Sequence, residues 1–378
     1  MPDRSDSPQA TSTQATSPES PPQSASTQEV REDWADRFRT QSEQCGQLGS
    51  PLYMRLLRII GDDVETGGAT WDVIAPSRGL RYGQAGPLRL LAGAHLLALS
   101  GEATEWASKL PSCGGRAPDS DVDLRGAWLS LVDTYLEELQ VGMNREVQTN
   151  EVARSGPLAM ALASTGFDTT ALIEIGCSGG LNMRMDRYAT DLGGTGSDHV
   201  PLGDPDSIVT LSPEMRSPVQ SSLRLPAISS RTGIDPHPID ASTDEGRWSL
   251  ISFLWPDQTE RIARLAAATE IARAVPVDQI ATEDTVGVIA DLLERGGPRV
   301  IQHSIVWQYI PTSVRWRLTE TIESAGHEAT SDAPLAWIRY EPDEWNRSRA
   351  ALWMRTWPQG GDRLLAHVDF HGRWIDPI

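Results

Sequence analysis

Apolar residues recur at helical spacing from Asp33 onward: Trp34, Phe38 and Cys45, then Leu52, Met54, Leu56, Leu57, Ile59 and Ile60 after the helix start Ser50-Pro51. The same spacing predicts helices over residues 87–99, with Leu90, Leu91, Ala94, Leu97 and Ala98 on one side, and over residues 125–139. A turn-rich connector at 111–118 separates them. An all-helical module over residues 31–145 is therefore expected. Ahead of it, residues 1–30 are dominated by Ser, Thr, Pro, Gln and Ala, with too little apolar surface to offset the entropy of ordering, and read as a disordered tail.

From residue 146 short apolar runs alternate with helical patterns. Val147-Gln-Thr-Asn-Glu-Val152 opens a helix, with Thr149 or Asn150 as its cap, leading into Leu158, Met160 and Leu162. Strands are expected at 171–175, 228–234, 275–280, 299–306 and 335–340. Helices follow at 181–188, from 244 through 271 with an interruption at Trp255-Pro-Asp-Gln258, at 285–295 and at 312–324. A Gly-, Asp-, Ser- and Pro-rich insertion near 190–225 delays the second strand, and strands 351–357 and 363–370 are joined by Pro358-Gln-Gly-Gly361, a hairpin signal. The order specifies an α/β domain over 146–378: a doubly wound sheet with a terminal antiparallel hairpin.

Charge changes the picture most. The chain of 378 residues carries 52 acidic against 33 basic side chains, a net charge of −19, and Lys109 is its only lysine. Such a surface repels phosphate backbones and stays hydrated in concentrated salt, so no nucleic-acid partner is expected. Cys45, Cys113 and Cys177 form no CxxC pair, which argues against a disulfide framework and a structural zinc. With neither a membrane-length apolar run nor a signal pattern, the expected place is the cytoplasm, with no membrane partner.

The chemistry concentrates at strand ends. In Ala171-Leu-Ile-Glu-Ile-Gly-Cys-Ser-Gly-Gly-Leu-Asn182 a buried strand breaks into a glycine turn before a helix, which leaves backbone N–H groups for an anionic or hydrogen-bonding ligand. Gly176, Ser178 and Gly180 are placed against that ligand, with Glu174 just ahead of them. An ordinary βα turn is the plain alternative. Asp235 ends the next strand, where a carboxylate suits two ribose hydroxyls; if it only shapes the turn before Pro236, Asn serves equally well. Asp284 ends the third strand and suits an adenine amine, or else caps the helix at 285. His303, Gln308 and Tyr309 follow the fourth strand, where a general base or substrate contact is expected, against a histidine merely packed at a strand edge. Gln148, Asn150 and Glu151 form a polar cluster whose plain reading is solvent-facing capping. His367, Asp369 and His371 alternate as if on one strand face; sheet-face histidines are common, and no metal is expected.

Glu174-Ile-Gly-Cys-Ser-Gly-Gly resembles the first motif of class I S-adenosylmethionine-dependent methyltransferases, with Ser178 where the middle glycine is usual. The strand count and reversed ending are also similar to that sheet. Together, Val147–Val152, Glu174–Asn182, Trp255-Pro-Asp-Gln258, His303-Ser-x-x-Trp-Gln-Tyr309 and His371-Gly-Arg-Trp374 resemble an uncharacterised prokaryotic domain-of-unknown-function family. The resemblance implies a Rossmann-like methyltransferase-type core, S-adenosylmethionine as cofactor and a small-molecule substrate, with the helical module as lid. Two rivals stand beside it: a non-catalytic small-molecule or protein-binding module on the same fold, and a hydrolase or transferase using another nucleoside cofactor. The sequence leaves the oligomeric state open.

Overall fold

The computed structural model describes residues 26–193, 199–219 and 222–378. Residues 1–25 of the expected tail, and 194–198 and 220–221 of the expected insertion, lie outside the described residues. The chain divides into two compact units. One takes the described residues up to Ala94 with Ala103–Lys109 and Arg116–Val147; the other takes His95–Glu102, Leu110–Gly115 and Gln148–Ile378.

The first unit is helical. Helix α1 (Thr27–Gln47) starts inside the expected tail because Ser26 and Glu29 form a capping box: the Ser26 hydroxyl accepts from the Glu29 N–H, and the Glu29 carboxylate accepts from the Ser26 N–H. Helix α2 (Pro51–Glu65) starts at Ser50, with proline at its first position. The two pack through Trp34, Phe38, Leu56, Leu57 and Ile60, all fully buried. Helices α3 (Ala69–Ile74), α4 (Gly86–Leu99), α5 (Thr104–Ala107), α6 (Asp121–Thr134) and α7 (Leu136–Gly142) follow. The single helix expected over 125–139 is thus two, broken at Tyr135, whose φ of −124° and ψ of 37° leave the helical region. An open depression of about 630 Å³ in this unit is lined by residues including Lys109, Arg116, Asp119 and Asp123, and holds none of the candidate site residues.

The second unit is built on a nine-stranded sheet. In chain order the strands of this unit are β1 (Thr169–Ile175), β2 (Ala189–Asp191), β3 (Pro201–Gly203), β4 (Thr210–Leu211), β5 (Glu214–Met215), β6 (Ala227–Asp235), β7 (Asp278–Ala281), β8 (Arg299–Ser304), β9 (Leu335–Pro342), β10 (Ala350–Trp357), β11 (Asp362–Val368) and β12 (Trp374–Pro377). The large sheet runs β5-β12-β11-β10-β9-β8-β1-β6-β7, and β2, β3 and β4 pair apart from it. From β7 to β9 all neighbours are parallel; β9 to β12 form an antiparallel meander. The expected hairpin is β10–β11, but it is not terminal. Strand β12 follows it and pairs with β5 of the insertion, which short runs such as Glu214-Met215 did not signal.

Helices cover both faces of this sheet. Leu172, Val300, Ile338 and Tyr340 face α8 (Ser155–Ala163), whereas Ile173, Ile175, Ile301 and Trp337 face α11 (Thr285–Glu294) and α12 (Thr312–His327). Helices α9 (Asp244–Ser252) and α10 (Thr259–Ala274) flank Trp255-Pro-Asp-Gln258, the interruption expected there. The C-terminal turn of α4 belongs to this unit through His95. Its Nδ1–H points to the carbonyls of Ser252 and Leu254 (3.3 and 3.1 Å), and its Nε2 accepts from the Ser112 hydroxyl (2.9 Å). Complete burial lowers its pKa to about 4. No helix among the described residues is long and apolar enough to cross a membrane.

Candidate functional site

Strand order reverses between β1 and β8: from β1 the chain builds outward to β6 and β7, then returns to β8 on the other side. The strand C-termini at such a reversal are left uncovered by crossover connections, and ligands of open α/β sheets sit there. The glycine turn after β1 lies at this point. Gly176, Ser178 and Gly180 all adopt left-handed backbone (φ 70°, 51° and 63°), which explains why glycine is usual at the middle position: a side chain there is strained.

Five of the N–H groups of this turn are, however, taken by the protein itself. Gly176 N and Cys177 N donate to Ile234 O (2.8 and 3.3 Å), Ser178 N to Asp235 Oδ2 (2.9 Å), Gly180 N to Cys177 O (2.7 Å) and Leu181 N to Asn150 Oδ1 (3.0 Å). Residues 181–187 form a short 3-10 helix rather than the α-helix expected, so no long helix dipole points at the turn. The turn is a folded loop held from below, and no anion cradle.

Asp235 is part of that holding. Its Oδ2 accepts from Ser178 N, and its Oδ1 accepts from His237 N (2.9 Å) and from Gln148 Nε2 (3.3 Å). Asn is therefore not the neutral replacement expected of a simple turn residue, because one of its two atoms would be a donor facing a backbone N–H. Asp235→Asn should lower unfolding stability by about 1–3 kcal/mol. Urea titration reads this directly; an unchanged midpoint would show that the loop holds without the carboxylate.

Glu174 points to the α8 side of the sheet, in register with Gln302 of β8. The residue is 2% exposed, and among the described residues its Oε2 has no partner. Both amide atoms of the buried Gln302 and the Ser178 hydroxyl are also without partners. Burial pushes the Glu174 pKa up to about 8; Gln302, Arg154 and Arg184 pull it down, and Asp235 pushes it further up. A carboxyl group that keeps its proton at neutral pH, beside unpaired amide and hydroxyl groups, is where sheet topology expects a ligand.

Arg154 approaches the same side from the start of α8 and was not singled out from sequence. It directly follows the 147–153 stretch, in which Asn150 and Glu151 prove buried instead of solvent-facing. Glu151 is gripped by Arg261 (2.6 Å) and by Arg264 (3.7 Å), and Arg261 lies over the Trp255 ring and bonds Gln258. The motif at 255–258 and the motif at 147–152 thus meet through one ion pair. The third, at 371–374, joins them: Gly372 packs so closely on the Ala153 carbonyl that an added Cβ would sit 2.3 Å from its oxygen.

His303 faces the other side. It is in register with Ile175, so alternation along β1 and β8 turns it toward α11 and α12, away from Glu174. Its Nδ1–H donates to Glu341 Oε1 (2.7 Å), its ring stacks on Trp307 (4.5 Å), and its Nε2 is buried without a partner. Glu341 was missed because it follows a strand whose end was expected at 340. Glu174, expected at the cofactor, and His303, expected at the substrate, both stand at strand ends but face opposite sides of the sheet. Gln308 and Tyr309 lie on the exposed turn beyond, Tyr309 with 67% of its surface open. Asp284 is exposed and accepts from Gly287 N (3.1 Å), capping α11. His371 lies on the turn after β11, so the alternation of His367, Asp369 and His371 on one strand does not hold. Among the described residues no three His, Cys, Asp or Glu side chains gather as a metal would require.

The architecture is that of a mixed α/β protein with a large, mostly parallel sheet and a buried polar site at its strand reversal. The chain belongs to the bacterial family described as uncharacterized protein conserved in bacteria (DUF2332), which matches residues 35–376. No curated protein and no solved structure matches it.

Proposed function

We propose that this chain is an S-adenosylmethionine-dependent methyltransferase acting on a small molecule, on a Rossmann-like methyltransferase-type sheet. The observation that carries the reading is Glu174: a buried, unpartnered carboxyl at the end of β1, at the strand reversal, in a sequence that resembles the cofactor motif. In this reading Glu174 and Gln302 hold the amino-acid end of the cofactor. Asp235 contributes to the ribose less than its position suggests, since Oδ2 has one lone pair left after binding Ser178 N. Asp284, exposed at the head of α11, is free to turn toward an adenine amine at the cost of its cap.

The bound cofactor supplies an already activated methyl group, so the protein has to position a nucleophile and exclude water. Gln308 and Tyr309, exposed beyond β8, are the side chains able to meet a substrate. His303 acts as a positioning residue: paired with Glu341 and stacked on Trp307, it sets the base of the turn that carries them.

Calorimetry with S-adenosylmethionine and S-adenosylhomocysteine tests the reading. Binding of at least one below millimolar concentration is expected, and a ligand at 100 times its dissociation constant should add about 2.7 kcal/mol to stability. Absence of heat from both at millimolar concentration would overturn it. The non-catalytic alternative draws on the burial of His303 Nε2, which no substrate reaches as the turn stands. Binding without any methyl transfer to acidic, neutral or basic small molecules would favour it.

A further inference from the structure

Around Arg154 the charges do not close. The residue is 7% exposed, and its Nε donates to Phe370 O (2.9 Å). Among the described residues no carboxylate lies within 4 Å of its terminal nitrogens, although Glu151 is near enough for the Arg154 charge to help hold that carboxylate ionised. The carboxylates near it are already engaged. Glu151 is held by Arg261 and Arg264, and Asp369 accepts both the Nε and an Nη of Arg373 (2.9 and 2.8 Å). Of the other acids at this site, Asp235 is bound to Ser178 N and His237 N, and Glu174 is held protonated by its burial. His371, beside them, is neutral, its pKa lowered to about 4 mainly by burial and by Arg261.

A buried cation that shares its counter-charge with two other arginines is under-compensated, and an anionic ligand relieves that cost. In a protein of net charge −19 this concentration of arginine is not a surface average. The open fork of one guanidinium matches a planar, singly charged group that accepts two parallel hydrogen bonds. We propose that Arg154 is the anchor of a carboxylate-binding subsite, with Arg264 and His371 at its rim and Glu174 and Gln302 on its inner wall. This rests in part on the methyltransferase reading, because the carboxylate has two possible owners: the amino-acid end of the cofactor, or a separate acidic substrate.

The full chain, Arg154→Gln and Arg154→Lys are compared by thermal melts in sodium acetate against sodium chloride at matched ionic strength, and by calorimetry with S-adenosylhomocysteine and its decarboxylated analogue. Acetate should raise the wild-type melting temperature in a concentration-dependent way. The effect should vanish in Arg154→Gln, which loses the bond to Phe370 O and should melt slightly below wild type without ligand. Arg154→Lys keeps the charge and loses the fork, so it should retain part of the acetate effect, and it serves if the Gln variant does not fold. If S-adenosylhomocysteine binds about tenfold to a hundredfold tighter than its decarboxylated analogue, and Arg154→Gln erases that difference while Arg154→Lys reduces it, the subsite stands and takes the cofactor's carboxylate. If the two bind alike while the acetate effect still needs Arg154, the subsite stands and belongs to an acidic substrate. If neither adenosyl compound binds but the acetate effect remains, the subsite stands and the methyltransferase reading falls. Acetate indistinguishable from chloride, together with adenosyl binding that ignores the Arg154 substitutions, overturns the proposal.

Discussion

Glu174→Gln is expected to make the protein more stable at pH 8 and to leave it nearly unchanged at pH 4.5. The wild-type carboxyl has its folded pKa raised to about 8 from a usual 4.5. Between those values the native state binds a proton that the unfolded chain has released, so stability falls as pH rises across the window and levels off above pH 8. Glutamine carries no such charge and fills the same space beside Gln302. The difference at pH 8 should be on the order of 3 kcal/mol, or roughly 5–10 °C in melting temperature. His95 and His371 act at lower pH and with opposite sign. Their pKa values, both lowered to about 4 from 6.5, give stability that is present above pH 6.5 and lost as pH falls from 6.5 to 4. Of these three groups Glu174 alone shapes the interval from pH 6.5 to 8, and melting curves there isolate it. Should the Gln variant trace the wild-type profile through that interval, Glu174 would have to be ionised in the folded protein. A more stable variant that also loses adenosyl-ligand affinity would show that the carboxyl is kept at the expense of stability, as binding groups often are.

The strands that build the site were legible in the sequence because buried parallel strands read as apolar runs: Leu172, Ile173 and Ile175 in β1, Val300 and Ile301 in β8. Short edge pairings such as β5 with β12 were not, since two to four residues carry no period. The site itself was half legible. Glu174 and Asp235 stand out as acids at the ends of apolar runs. The side each faces follows from register, and register depends on pairing that a sequence does not display. Hence His303 and Glu174 both read as strand-end site residues though the pleat sends them to opposite faces. Arg154 escaped notice for another reason: arginines are the ordinary cations of this nearly lysine-free chain, and only its burial with open terminal nitrogens distinguishes this one.

Glu341→Leu should be among the most damaging single changes at the β8 end. One oxygen, Oε1, accepts from His303 Nδ1 (2.7 Å), Val306 N (3.2 Å) and Trp307 N (3.2 Å). These bonds hold the turn at Ile305, a β-branched residue in left-handed backbone (φ 53°) that only surrounding contacts can keep there. Val306 in turn packs on Gly176, where even a methyl group would come within 2.4 Å of its side chain. Leucine fills the volume of the glutamate but leaves one buried and two half-buried donors without an acceptor, at a cost of about 2–4 kcal/mol. Glu341→Gln keeps a carbonyl oxygen for at least part of the same set and should cost about 1 kcal/mol. Trp307 and Trp337 lie 5.8 Å apart in this cluster, so urea unfolding followed by tryptophan fluorescence reports on it directly. A large loss for Leu with a small one for Gln would establish that a single acceptor fixes the turn beneath Gln308 and Tyr309. Equal stability of the two variants would mean that packing of Val306 against the glycine loop suffices, and His303 would lose its positioning role.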